Sequence, residues 1–187
     1  MKKTCAVASL LAMMLAVCGL CSAQAKDAPK TVTSILDSGI KGVEGEFVPA
    51  AEAMPEGKYD FAPTGGEFKG VRTFAQQVKH VAAVNYMVGE AILGEKSPVD
   101  LGGESGPDNI KSKAEIVKFI KDSYAYAHKA VATITAENAT GEVQLPFGKF
   151  TRMGLGVLLT AHSFDHYGQM VVYLRMNGIV PPASRGQ

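Results

Sequence analysis

Residues 151–184 read TRMGLGVLLTAHSFDHYGQMVVYLRMNGIVPPAS, and the rest of the chain can be organised around them. At 100° per residue, a helix here places Leu155, Leu158, Leu159, His162, Asp165, His166, Gln169, Tyr173 and Met176 on one arc of roughly 120°. Apolar residues at both ends of the arc mark it as the face toward a core. The polar groups in its middle must then find partners, because a buried polar group without one is costly. His162 and His166 stand four apart, so two imidazoles on one helix face can reach a single ion without distorting the backbone. The same spacing also suits two separately satisfied or exposed histidines, so alone it leaves both readings open. Thr151 is placed to cap the first turn, and Asn177-Gly178 with Pro181-Pro182 beyond it ends the helix.

Upstream, three more segments carry a helical period. In the first, Thr31–Met54, the apolar positions are Leu36, Ile40, Val43, Phe47, Ala50 and Met54. Gly39, Gly42 and Gly45 weaken it by about 1 kcal/mol each relative to Ala, and Pro49 marks a kink or its last turns. The second, Val71–Leu93, turns Phe74, Val78, Val81, Asn85, Val88 and Ile92 inward, with His80 to one side near Val84 and Met87. The third opens at the capping box Ser112-x-x-Glu115 and buries Ile116, Ile120, Ser123, Ala127, Val131 and Ile134.

The connections are long. Residues 55–70 are punctuated by Pro and Gly, with Tyr59, Phe61 and Phe68 to pin them to the helices. Residues 94–111 are rich in Gly, Pro and acid and read as a long loop of the kind that serves as a lid. Residues 135–150 read as a linker with no convincing strand pair. The fold class is therefore all-α, a four-helix bundle whose long linkers permit crossovers. The fourth helix carries a second apolar line, Val157, Phe164, Val171 and Leu174, opposite the histidines. A linker or a second copy of the chain must cover it, and a homodimer is one expectation.

The chain of 187 residues begins MKKTCAVASLLAMMLAVCGLCSAQA: two lysines, a short apolar run, and Ala23-Gln24-Ala25 before Lys26. This is the pattern of a secretory signal peptide over residues 1–25, cleaved after Ala25, and it predicts a periplasmic or secreted protein. The apolar run is too short for a comfortable membrane span, so no stable membrane insertion is expected once it is removed. Residues 26–187 are then one domain with room for a proper core. All three cysteines lie in the leader, leaving no disulfide, thiolate ligand or cysteine nucleophile in the domain. Net charge is close to zero and no run of like charge appears, so nucleic acid is not an expected partner. No Gly-x-Ser-x-Gly elbow is present to support Ser-His-Asp catalysis.

Three features together resemble the DinB-like superfamily of metal-binding four-helix bundles. They are the His late in TFAQQVKHVAAVNYM, the His-x-x-x-His-x-Gly-Gln of HSFDHYGQ, and the closing YLRMNGIVPP. The EAMPEGKYDFAPTGGEF segment also looks like the family's stretch before its second helix. The resemblance implies that His80, His162 and His166 form a triad holding one divalent ion, and that the helices follow an unusual order. Family chemistry includes transfer and isomerisation with small intracellular thiols, which an exported member would not meet. Asp165 also departs from relatives that often carry another His at its position, which leaves the fourth coordination position undecided.

Asp165 can serve as a fourth ligand, as an acceptor orienting an imidazole, as a general base, or simply as a surface carboxylate. Gln169 can hold substrate, bond to His166, or be a satisfied amide between helices. His128 reads as structural or exposed, and Arg175 suits the C-terminal helix dipole. Three neutral imidazoles leave an ion's full charge in place, which acidifies bound water and polarises carbonyl or phosphoryl oxygens. The expected function is a metal-dependent hydrolase or transferase acting on a small molecule. Two alternatives are a non-catalytic module binding a small ligand or the metal itself, and a structural dimeric bundle. Imidazole ligands suit zinc, nickel, iron or copper about equally.

Overall fold

The computed structural model describes residues 30–186, so the expected signal peptide lies outside the described residues. Four helices carry the fold: α1 (Val32–Ala53), α2 (Phe74–Leu93), α3 (Lys113–Val131) and α4 (Arg152–Met176). Each start is written in the sequence. Thr31, Thr73 and Ser112 close capping boxes with Ser34, Gln76 and Glu115, and the Thr151 hydroxyl accepts from the Gly154 amide. All the expected inward residues of α1, α2 and α3 are buried, including the polar Asn85 and Ser123, which hydrogen-bond to each other at 3.2 Å. Phe47 and Phe74 are fully covered, and truncating either to Ala would cost about 3–5 kcal/mol.

Packing explains the long linkers. α2 lies mainly against α3 and α1 mainly against α4, while α1–α3 and α2–α4 contacts close the ring. Helices consecutive in sequence, α1–α2 and α3–α4, are therefore not the main neighbours, and the first and third connections are crossovers. One consequence decides the site: α2, bearing His80, runs beside α4, bearing His162 and His166. Close approach of α1 to α4 uses Gly39, where an added Cβ would stand 3.0 Å from the Thr160 hydroxyl. The glycine that weakens the isolated helix thus permits the contact that holds it.

Three expectations need correction. Residues 135–150 are not featureless: they contain an antiparallel hairpin, β1 (Glu142–Leu145) and β2 (Gly148–Thr151), joined through Pro146 and Phe147. Its strands are four residues each, too short to register as alternation, and Pro and Gly look like breakers unless the turn they make is recognised. The segment before it closes the start of α4, because Gly141 and Ala139 carbonyls accept from Arg152 and Met153 amides. Second, the buried face of α4 is Leu155, Gly156, Leu159, Ser163, His166, Met170, Tyr173 and Leu174. That arc is turned by roughly 70° from the expected one. Met176 and Asp165 are consequently exposed, Leu174 is fully buried, and His162, Leu158 and Gln169 lie at the edge of the core. Of the outer line, Val157 and Phe164 are exposed and Val171 is half-buried, so no linker among the described residues covers the first two. Third, Tyr59 and Phe61 anchor the first linker, with Tyr59 donating to the Ala51 carbonyl and Phe61 packing on Tyr173, but Phe68 is exposed.

Candidate metal centre

The rotated face puts the histidines where core meets cavity. His166 is buried, and His162 and His80 are half-buried. One ring nitrogen from each lies within 4.8 Å of the others, and the Nε2 atoms of His80 and His162 are 3.2 Å apart. Tautomers follow from the partners. The His80 Nδ1–H donates to the Glu104 carbonyl at 2.5 Å, and the His166 Nδ1–H donates to Gln77 Oε1 at 2.5 Å. Both rings thereby present an Nε2 lone pair to the shared space. The Nδ1 of His162 is buried and has no hydrogen-bond partner among the described residues.

Each second interaction has a traceable origin. Gln77 is one turn before His80 on α2, 2 % exposed, and joins a chain that reaches Asp165. Its Nε2 donates to Gln169 Oε1 at 2.9 Å, and Gln169 Nε2 donates to Asp165 Oδ2 at 3.2 Å. An ionised carboxylate only accepts, so it fixes the direction of every donation back to His166. Asp165 therefore sits three links from the His166 ring and outside the three-histidine group. On the other side, the carbonyl for His80 comes from the 94–111 loop, which is firmly seated. The Lys79 ammonium donates to the carbonyls of Pro107 and Ile110, and Gly106, at φ +77°, lies against the Lys79 side chain. A Cβ there would meet Lys79 Cβ at 2.5 Å. The expected lid is, in this structure, a wall of the site.

Electrostatics keep the rings neutral. Burial pushes His166 down to about 3, with the His162, His80 and Arg72 charges acting in the same direction. Burial likewise pushes His162 down to about 4, aided by His80 and opposed by Asp165. His80 is lowered by burial and by Arg72, against the raising effect of its bond to Glu104. At neutral pH all three are lone-pair donors, the state a cation requires.

The donor set fits a metal ion. Nitrogen ligands about 2.0–2.1 Å from a tetrahedral ion stand about 3.4 Å apart, close to the observed 3.2 Å between His80 and His162. In the absence of an ion, a His162 Nε2–H can donate across the same distance to the His80 Nε2 lone pair. His80 and His162 also form the polar end of a cavity of about 500 Å³, whose walls include Ala83, Val84, Met87, Leu101 and Leu158. A smaller recess of about 330 Å³ is lined by Arg72, Gln77, Glu104 and Gln169.

Of the expected residues, the structure joins His80, His162 and His166 and leaves Asp165 at the end of a hydrogen-bond chain. Gln169 bonds to Gln77 rather than to His166. His128 is elsewhere, between Asp37 (2.6 Å) and Glu44 (3.0 Å) of α1. Arg175 is near the end of α4, bonded to Ser184. Gln77, Arg72 and Lys79 were not singled out by the sequence reading. Gln77 alone left a signal, a polar side chain one turn from His80 and next to an apolar stripe.

Comparison with curated proteins finds no match. Solved structures share the fold. A DinB-like protein from Bacillus subtilis is 19% identical, covering 77% of this chain and 92% of that one with a TM-score of 0.59. A DinB-like protein from Bacillus cereus is 15% identical, covering 79% and 93% at 0.61. An uncharacterised protein from Escherichia coli is 14% identical, covering 81% and 97% at 0.58. At these identities the likeness speaks for architecture alone. The sequence itself matches the profile of the DinB superfamily over residues 40–170, most of the chain and all three histidines included, so the chain belongs to the DinB superfamily.

Proposed function

We propose that His80, His162 and His166 hold one divalent cation at the mouth of a small-molecule cavity, and that the protein is a metal-dependent hydrolase or transferase. One observation carries this reading: three imidazoles with lowered proton affinity converge within 4.8 Å, two with their outer nitrogens already donating, beside a cavity of about 500 Å³. A bound divalent ion supplies Lewis-acid chemistry, polarising an oxygen of a small molecule and acidifying water. The chain's own residues do the rest. Gln77 and the Glu104 carbonyl orient two of the rings, and the Gln77–Gln169–Asp165 chain holds the His166 tautomer. Asp165 acts as a positioning residue in this scheme. Zinc, nickel and iron all suit the donor set.

The test is an open coordination position. Cobalt(II)-loaded protein should change its visible spectrum on titration with azide, as a site with room for an outside ligand must. A spectrum indifferent to azide would indicate a closed site and favour the non-catalytic binding module instead. Two further elements belong to the reading: export after cleavage at Ala25, and a homodimer through the exposed Val157 and Phe164 of α4. N-terminal sequencing of the protein from its host tests the first. Light scattering of the wild type and Phe164→Glu tests the second, a monomeric wild type overturning it.

A further inference from the structure

We propose that the cavity beside the three histidines takes the alkyl chain of a small amphiphilic carboxylate whose anionic end faces the imidazoles; this rests on the metal reading above.

From His80, the residues Ala83, Val84 and Met87 continue along one face of α2 at helical spacing. Leu158 of α4 and Leu101 of the seated loop face the same space, and the exposed Phe147 of the hairpin tip overhangs it. Val84, Met87, Leu101 and Leu158 are all only partly buried although they pack against the core. Apolar side chains left half-covered around a concavity of about 500 Å³ describe a small-molecule pocket, which commonly spans about 300–1,000 Å³. Its polar groups are confined to one end, where His80, His162 and Glu104 lie.

The sign of the ligand's head follows from charge. The three-histidine group contains no carboxylate, so three neutral rings would leave a cation's charge uncompensated. Arg72 lines the adjoining smaller recess rather than this cavity and acts on the three imidazoles as a nearby positive charge. Among the described residues its side-chain partner is Glu104, at 3.4 Å with a carboxylate 92% exposed, and its buried Nε has none. An anion arriving at the polar end meets that uncompensated charge. A positive end on an apolar pocket selects a carboxylate with a hydrocarbon chain over either feature alone.

The test is calorimetric titration of the full chain, with zinc and without it, against acetate, butyrate, hexanoate and octanoate. With zinc bound, affinity should tighten about fourfold per methylene until the cavity is filled. Met87→Gln and Leu158→Gln, close in size but polar, should flatten this dependence while leaving acetate affinity and zinc stoichiometry unchanged. Arg72→Met should weaken all four ligands by a similar factor. Equal affinity for acetate and octanoate with zinc bound overturns the pocket. So does a chain-length dependence that both Gln variants retain in full. If the protein takes up no zinc yet still prefers octanoate, the pocket stands and the metal reading fails.

Discussion

Replacing Gln77 with Met removes the acceptor of the His166 Nδ1–H and the donor to Gln169 Oε1 while keeping almost the same volume. Gln77 is 2% exposed, so water cannot substitute, and the His166 Nδ1–H is left buried without a partner. An orphaned buried donor costs about 1–3 kcal/mol of stability. For a domain of this size that lowers Tm by roughly 2–12 °C. The ring is also freed to rotate or change tautomer. Loss of such an orienting partner typically weakens a metal site about 10- to 100-fold, equivalent to about 1.4–2.7 kcal/mol. Gln77→Glu keeps an acceptor for Nδ1–H, and the Gln169 amide can turn to donate to it, releasing the exposed Asp165 to water, so its zinc affinity should stay within about threefold of wild type or tighten. Competition with a chromophoric chelator gives the affinities, and thermal unfolding of the same samples gives the stabilities. The reasoning is refuted if Gln77→Met loses stability yet binds zinc as tightly as wild type. The bond would then be structural and would not orient a ligand.

Three other outcomes follow from the same geometry. His162 at about 4 and His166 at about 3 fall below the ordinary value of about 6.5, so the unfolded chain binds more protons than the folded one between these limits. Metal-free protein should therefore keep its stability above pH about 6.5 and lose it as pH falls to about 4 for His162 and about 3 for His166, each group adding at most about 1.4 kcal/mol per pH unit; urea midpoints across pH check this, and a flat profile contradicts it. Gly106→Ala forces a positive φ on a residue with a Cβ and drives it into Lys79, so urea unfolding should show a loss of about 1–3 kcal/mol. Asp165→Asn keeps an acceptor for Gln169 but no longer fixes the direction of the chain, so zinc affinity should fall less than in Gln77→Met by the same chelator assay.

Much of this protein was legible before any coordinates. Capping boxes and apolar periods are local, so Ser112, Thr151 and the inward stripes of α1, α2 and α3 could be read directly, whereas the caps at Thr31 and Thr73 emerge from the structure and start α2 at Phe74 rather than Val71. The helix order was open to the long linkers but became clear only from packing. The sequence could not show the rotation of α4, because apolar residues lie on both of its sides and the period alone does not say which arc is covered. That one rotation accounts for the exposure of Asp165 and Met176 and the burial of Leu174. His80 was marked by resemblance, since on its own it is a half-buried residue flanking a stripe. Gln77, Arg72 and the Glu104 carbonyl act on the site across 24 to 92 residues of chain, and pairings at such distances leave no periodic trace.

The central claim is that three imidazoles from two non-consecutive helices hold one ion. Its most direct test is metal content after zinc loading and gel filtration, measured for the wild type and for His80→Ala, His162→Ala, His166→Ala and His128→Ala. The account predicts one ion per chain in the wild type and in His128→Ala, and a sharp loss in each of the other three. A wild type that retains no ion, or a His80→Ala protein that keeps a full equivalent, would contradict it.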